Sequence, residues 1–307
     1  MPAHPFHAGE REVQRRVGEV ATAELNGRII SPRIPSAARS FVGRQDLVVL
    51  GTEDADSALW ATLITGAPGF TRAADDLASV RIEMNDPLGT LPGAPSLTAL
   101  RDDQPVALLF IDLATRRRLR VNGAIAAVTA GELEVRVAQA YPACPKYIQR
   151  REVTQGDGVA GGLPAVAGAG DGFPLSLRER LAGADTLFIA TAGADGLLDV
   201  SHRGGRRGFA ELEGDTIRIP DFVGNSMFNT LGNLVLDGRA GLCVPDFDSS
   251  AQWLLTGRAV VRFDVAAAAD RTGGTRRWIE FTPERWVSRP LNVSRTWTFV
   301  ESSPYNP

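Results

Sequence analysis

Residues 46–70 read DLVVLGTEDADSALWATLITGAPGF and residues 185–209 read DTLFIATAGADGLLDVSHRGGRRGF; the two stretches are one pattern written twice. A shift of 139 positions aligns them without a gap, pairing Asp46 with Asp185, Thr52 with Thr191, Ala55 with Ala194, Asp56 with Asp195, Leu59 with Leu198, Gly66 with Gly205, Gly69 with Gly208 and Phe70 with Phe209. Ordinary composition gives roughly one or two identities in 25 positions, against the eight found. Matched Gly and Asp fall where turns belong, and the apolar runs between them fall where strands belong. Further on, a shift of 134 pairs Leu108 with Leu242, Asp112 with Asp246 and Gly123 with Gly257, which a shorter loop in the second copy explains. A long unit present twice predicts duplicated domains, because a solenoid needs three or more stacked repeats.

Short β-rich runs surround this pattern: Leu47–Leu50, Leu59–Ile64, Val80–Ile82, Val106–Leu113, Leu119–Val128 and Leu133–Ala140, separated by Gly, Pro, Asp and Asn. Strands at hairpin-like spacing predict a barrel or sandwich, so the fold class is mainly β with short helices (α+β). One helix is expected near the N-terminus, where Val13, Val17, Val20, Ala21 and Leu25 recur at steps of three and four before Gly27. The run Gly156–Gly172 is rich in glycine and poor in large side chains, which predicts a linker. The expected organisation is 1–151 for the helix and first unit, 152–172 for the linker and 173–307 for the second unit.

Composition narrows the function classes. The chain has 307 residues and a net charge of −3, so no electrostatic footprint for nucleic acid or an anionic membrane exists. Cys144 and Cys243 lie far apart, supporting neither a disulfide framework nor a zinc site, and His4 and His7 lack metal-ligating partners. The absence of a long apolar stretch and of a signal-like start leads to the expectation of a soluble, cytoplasmic protein. Neither a Rossmann glycine fingerprint nor a P-loop nor a serine elbow occurs.

The chemistry concentrates in the second copy. Its return strand runs into Ser201-His202-Arg203-Gly204-Gly205, where glycines permit close backbone approach and the polar groups suit phosphate or a ring carbonyl. A strand over Thr216–Pro220 then leads into Asp221-Phe222-Val223-Gly224-Asn225-Ser226, followed by the helical spacing of Met227, Phe228, Leu231, Leu234 and Val235. Asn225 or Ser226 is the natural N-cap of that helix, whose free amides and dipole would favour a phosphate, with Asn229, Thr230 and Asn233 extending the pocket. The aligned first-copy stretch, Asp86 to Gly93, is richer in Pro and lacks this set, so ligand binding is expected mainly in the second copy.

With Asp199–Gly205, Ile219–Leu234 and Leu255–Ala259, the chain resembles the pyridoxamine 5′-phosphate oxidase-related FMN-binding proteins of the split β-barrel fold, in their two-barrel branch. The likeness extends to Phe6–Glu10, Trp60–Thr62, Gly66–Phe70, Arg117–Gly123 and Cys144–Gln149. The resemblance implies FMN between two tandem barrels. Asn225, Asn229 and Thr230 would serve the phosphate; Ser201, His202 and Arg203 would approach the ribityl chain or ring; Trp60 and Thr62 would close the ring site. Asp221, Ser226 and Phe228 complete the implied cofactor set. His202, the one histidine outside the N-terminal segment, is the candidate acid or base.

The implied activity passes hydride or electrons between a small organic substrate or NAD(P)H and an acceptor such as O2, in a monomer of pseudo-dimeric barrels or a homodimer. The alternative is a non-catalytic flavin or haem carrier. Cys144 and Lys146 are placed to reach the ligand interface, although a lone Cys is ordinarily a small buried hydrophobe. Arg116-Arg117-Arg118 reads as a solvated hairpin edge or an anion contact.

Overall fold

The computed structural model of the chain describes residues 4–84, 99–129, 131–155, 168–194, 196–266, 269–291 and 295–307. It is mainly β with short helices, and its two large sheets share one plan. The first contains β1 (Leu47–Glu53), β2 (Leu59–Thr65), β3 (Thr71–Ala73), β4 (Ser79–Glu83), β5 (Pro105–Asp112), β6 (Arg117–Val128) and β7 (Glu132–Pro142), in the order β2-β1-β5-β6-β7-β4-β3. The second contains β10 (Thr186–Ala192), β11 (Leu198–Gly204), β12 (Glu211–Glu213), β13 (Thr216–Pro220), β14 (Arg239–Asp246), β15 (Ala251–Arg262) and β16 (Trp278–Pro290), in the order β11-β10-β14-β15-β16-β13-β12.

The registers repeat as well as the order. Leu50 faces Thr62 and Leu108 in the first sheet, and Ile189 faces Ser201 and Leu242 in the second, which reproduces both sequence shifts. Each long hairpin carries a bulge at the same place, after Asn122 and after Thr256. The glycine that follows is required there: a Cβ on Gly123 would stand 2.0 Å from the Arg136 oxygen, and one on Gly257 2.2 Å from the Thr282 oxygen.

Each sheet rolls around its own core. Val48 and Leu50 of β1 share a cluster with Val80 and Ile82 of β4, although three strands separate them in the sheet order. In a flat sheet those strands would lie roughly 19 Å apart, at about 4.8 Å per strand. The opposite faces of β1, β5, β10 and β14 meet in a shared apolar layer between the copies, including Val49, Trp60, Leu109, Phe188, Val200 and Leu254. Strands buried on both faces explain their continuous apolar runs, and each fully buried large side chain contributes about 1.5–3 kcal/mol.

Smaller elements tie the copies together. β8 (Arg150–Gln155) pairs with β17 (Arg295–Glu301), and β9 (Gly168–Asp171) joins the edge of β16. Part of the glycine-rich run is therefore strand: the alternate Gly168 and Gly170 lie flat against Trp286, where a Cβ would touch the ring. The remaining linker residues, 156–167, lie outside the described residues, as does the first-copy stretch 86–93. Arg151 donates from Nη2 to both oxygens of Asp185, at 2.8 and 2.7 Å, a buried ion pair between β8 and the start of β10.

The single N-terminal helix is corrected to two, α1 (Ala8–Arg16) and α2 (Val20–Gly27). Gly18 takes φ +73°, which turns the chain between them, so Val20 and Leu25 leave the apolar stripe and are 37% and 59% exposed. Two other helices matter less to the site, α3 (Arg39–Val42) and α4 (Leu175–Gly183); the fifth, α5 (Asn229–Leu236), forms part of it. Among the described residues no helix is long and apolar enough to cross a membrane.

Candidate functional site

A cleft between the copies brings β6 and the segment after β7 of the first against β11, the loop after β13 and the start of α5 of the second. The β10–β11 hairpin sets the second-copy side. Strand alternation puts Asp199, Ser201 and Arg203 on one face and turns His202 to the other, where its ring meets Phe188 edge-on at 5.7 Å.

The start of α5 differs from its sequence expectation. Neither Asn225 nor Ser226 caps the helix, because Asn225 spends its side-chain oxygen on the Met227 amide two residues on, at 3.2 Å. Ser226 and Phe228 both adopt left-handed backbone (φ +62° and +59°), which delays helical geometry to Asn229 and puts Phe228 at the cap with no side-chain bond. The first helical bond runs from the Gly232 amide to the Phe228 carbonyl. Among the described residues, no acceptor serves the amides of Asn229, Thr230 and Leu231. The loop is held from outside: Gln14 donates to the Met227 carbonyl, Asn26 to the Asn225 carbonyl, and the Tyr147 hydroxyl to the Val223 carbonyl.

Arg120 closes the cleft from the first copy. It donates to Asp199 at 2.8 Å, to the Asn229 side-chain oxygen at 3.0 Å and to Ser201 at 2.5 Å, and Ser201 is in turn 2.7 Å from Thr230 Oγ1. Asp221 accepts from both Arg203 (2.7 Å) and Arg277 (2.8 Å), so one carboxylate serves two guanidiniums. Among the described residues Arg118 has no carboxylate partner: it donates to the Cys144 carbonyl and to His202 Nδ1. Burial and the neighbouring charge of Arg120 push its guanidinium down from its ordinary value. The lining thus holds four cations (Arg118, Arg120, Lys146 and Arg203) and one carboxylate (Asp221), in a chain whose net charge is negative.

His202 is 6% exposed, and burial first, then Arg118, drives its pKa well below the usual histidine value. Since an arginine only donates, Nδ1 accepts and the ring proton sits on Nε2, which is buried without a partner among the described residues. Arg120 Nε and Arg203 Nε are likewise buried and unpartnered. Behind α5, Glu10 accepts from the Asn229 side-chain Nδ2 (2.5 Å) and the His7 backbone amide (2.8 Å), and burial pushes its carboxyl up to about 7. At the mouth, Tyr147 and Phe222, one from each copy, stand 5.0 Å apart.

Ser201, His202, Arg203, Asp221, Asn225, Ser226, Phe228, Asn229 and Thr230 all line this cleft. Trp60 and Thr62 do not. They lie on β2: Trp60 is fully buried in the apolar layer between the copies with its Nε1 donating to Asp54, and Thr62 is buried opposite Leu50, on the strand face turned toward the first copy's own core. By the repeat, Trp60 and Thr62 stand where Asp199 and Ser201 stand in the other copy; Leu63, Gln252 and Leu254 stand for His202, Arg118 and Arg120. There Gln252 bonds the Leu63 backbone at 2.9 and 3.0 Å and the position is sealed.

Arg120 and Glu10 carry the site although the sequence offered them only inside longer stretches of likeness; Tyr147 appeared beside Lys146, and Arg118 as a hairpin edge or an anion contact. The available signal was the contrast of Arg118 and Arg120 with Gln252 and Leu254, two cations on one strand face whose duplicates are neutral. Cys144 and Lys146 line the cleft as expected. No candidate metal cluster occurs among the described residues.

No protein-family model and no curated protein matches the chain. Similar solved structures include a putative pyridoxamine 5′-phosphate oxidase from Lactobacillus delbrueckii, with 13% identity, TM-score 0.32 and coverage of 40% of this chain and 98% of that one. An FAD-binding protein from Mesorhizobium loti has 9% identity, TM-score 0.30 and coverage of 39% and 96%. HutZ, the heme storage protein from Vibrio cholerae, has 13% identity, TM-score 0.28 and coverage of 38% and 94%.

Proposed function

We propose that the cleft binds FMN and that the protein is an FMN-dependent oxidoreductase, passing hydride or electrons between a small organic substrate or NAD(P)H and an acceptor such as O2. The observation that carries the binding claim is Arg118, without a carboxylate partner among the described residues, in the same cleft as the three bare amides of α5. Both features are stabilised by an anion, and a phosphate monoester answers both at once.

The residues present fit that ligand. The amides of Asn229, Thr230 and Leu231 with Arg118 would hold the phosphate; Ser201 and Arg203 would face the polar chain; Tyr147 and Phe222 offer aromatic faces to a flat ring. Bound FMN supplies reversible two-electron transfer, while the protein contributes orientation and hydrogen bonds. His202, neutral with its proton on Nε2, would act as a donor toward the ligand. Its depressed pKa makes it a poor proton source near neutrality, so positioning is the better reading of its role. One chain provides both walls, so no second subunit is required.

The visible spectrum of the purified protein tests the reading. A flavin spectrum released on denaturation and identified as FMN is expected; a colourless protein that FMN does not stabilise against heat would remove the proposal. Bleaching by NADH or NADPH without oxygen, with recovery in air, is expected of the enzyme, whereas a carrier would keep its colour.

A further inference from the structure

A second recess lies against the cleft and shares Arg118 and Ala143 with it. Its floor and walls are apolar: Pro35, Ala38 and Phe41 from the segment before β1, Leu119 from β6, and Pro142 and Pro145 from the end of β7. Prolines line it on both sides, so its backbone is stiff and presents few amide donors.

Its rim is cationic in a way the turn does not require. Arg116 is committed, donating to the Ile148 and Ser302 carbonyls and to Glu301. Arg117 is exposed; among the described residues its guanidinium has no carboxylate partner, and it lies over the face of Phe41, 5.3 Å from the ring centroid. Asp112, opposite it in the ladder, gives its oxygens to the Ala114 and Thr115 amides and the Thr115 hydroxyl. The duplicated turn adopts the same geometry without this chemistry. Arg116 and Ser250 occupy the same left-handed position (φ +55° and +51°), and Arg117 corresponds to Ala251. An arginine held over an aromatic ring beside an apolar recess complements a planar anion of small size.

We propose that this recess binds a small aromatic carboxylate, its ring against Phe41, Leu119 and the prolines and its carboxylate at Arg117. The binding claim stands on the recess alone; that such a molecule would meet the nucleotide across Arg118 and Ala143 rests on the function proposed above.

The probes are 2-naphthoate and its neutral isostere 2-naphthamide, titrated into the purified full chain by calorimetry, with FMN affinity measured separately. Naphthoate is expected to bind more tightly than naphthamide. Arg117→Gln should weaken naphthoate about fivefold, as for an exposed ion pair, and leave naphthamide unchanged. Ala37→Trp, at the exposed edge of the recess, should weaken both; neither substitution should alter FMN affinity. Equal naphthoate affinity in wild type and Arg117→Gln, or no binding of either probe, would overturn the inference even if FMN binds. Binding of naphthoate with this pattern in a chain that does not bind FMN would uphold the recess and remove the nucleotide instead.

Discussion

Arg118 Nη1 donates to His202 Nδ1 across 3.1 Å, joining two residues 84 positions apart and from different copies of the repeat. This one contact orients the imidazole and fixes its tautomer, and the guanidinium that makes it has no carboxylate partner among the described residues. Its counterpart under the repeat, Gln252 with Leu63, is neutral and closed.

Replacing Arg118 by Gln removes that cation and should raise the FMN dissociation constant by about tenfold to a hundredfold, the range of a charge-assisted hydrogen bond. The unfolding midpoint should stay level or rise, because a half-buried charge without a counter-ion is lost. Fluorescence titration with FMN and a thermal melt check both parts; undiminished affinity would contradict the phosphate assignment.

Two buried groups give opposite pH dependences. The His202 pKa is depressed on folding, so its contribution is present above the unfolded value near 6.5 and is lost as pH falls toward the folded one. Glu10 is raised from 4.5 to about 7, so its contribution is present below 4.5 and fades as pH rises through 7. Chemical denaturation from pH 4 to 8 should show Glu10→Gln losing the decline toward neutrality and His202→Gln losing the decline in acid. Profiles unchanged in both variants would mean that neither group is buried as described.

Gly9 and Gly232 let α1 and α5 touch backbone to backbone. A Cβ on Gly9 would stand 2.0 Å from the Gly232 oxygen, so Gly9→Ala must lift α1 and draw Glu10 away from Asn229. A loss of about 1–3 kcal/mol of stability is expected from such overpacking, together with weaker FMN binding. Gly18→Ala is the control: its φ of +73° is unfavourable for alanine but no atom lies within 4 Å, so stability should fall by about 1 kcal/mol with FMN affinity intact. Equal affinity in both variants would break the link between α1 and the site.

Thr230→Ala deletes the hydroxyl 2.7 Å from Ser201, and Asn225→Ala frees the Met227 amide and loosens the loop before α5. Each should weaken FMN by about tenfold, near the cost of a buried hydrogen bond, with the fold retained by circular dichroism. Wild-type affinity in both would place the phosphate elsewhere.

The strands over 47–53, 59–65, 105–112, 186–192 and 216–220 were legible because alternation, turn residues and repetition are local signals that survive in one dimension. The polar run from Ser201 to Thr230 was legible for the same reason, as a patch of donors next to glycines and a helix start. The helix starts were less so: Asn225 and Ser226 have capping chemistry, but an Asx turn and two left-handed residues moved the cap to Phe228. Trp60 and Thr62 were misplaced because strand alternation assigns a residue to a face without saying what covers that face.

By itself, then, the order of residues determined the duplication, the mainly β class and the copy that carries the polar segment Ser201 to Thr230, all of which follow from short-range periodicity and turn chemistry. Only the tertiary structure decided that Arg118 and Arg120 of the first copy complete that segment, and that the mirror position is filled by Trp60, Leu63 and Gln252. The reason is that each choice depends on which faces of two rolled sheets are pressed together, a relation between residues tens to hundreds of positions apart that no local pattern encodes.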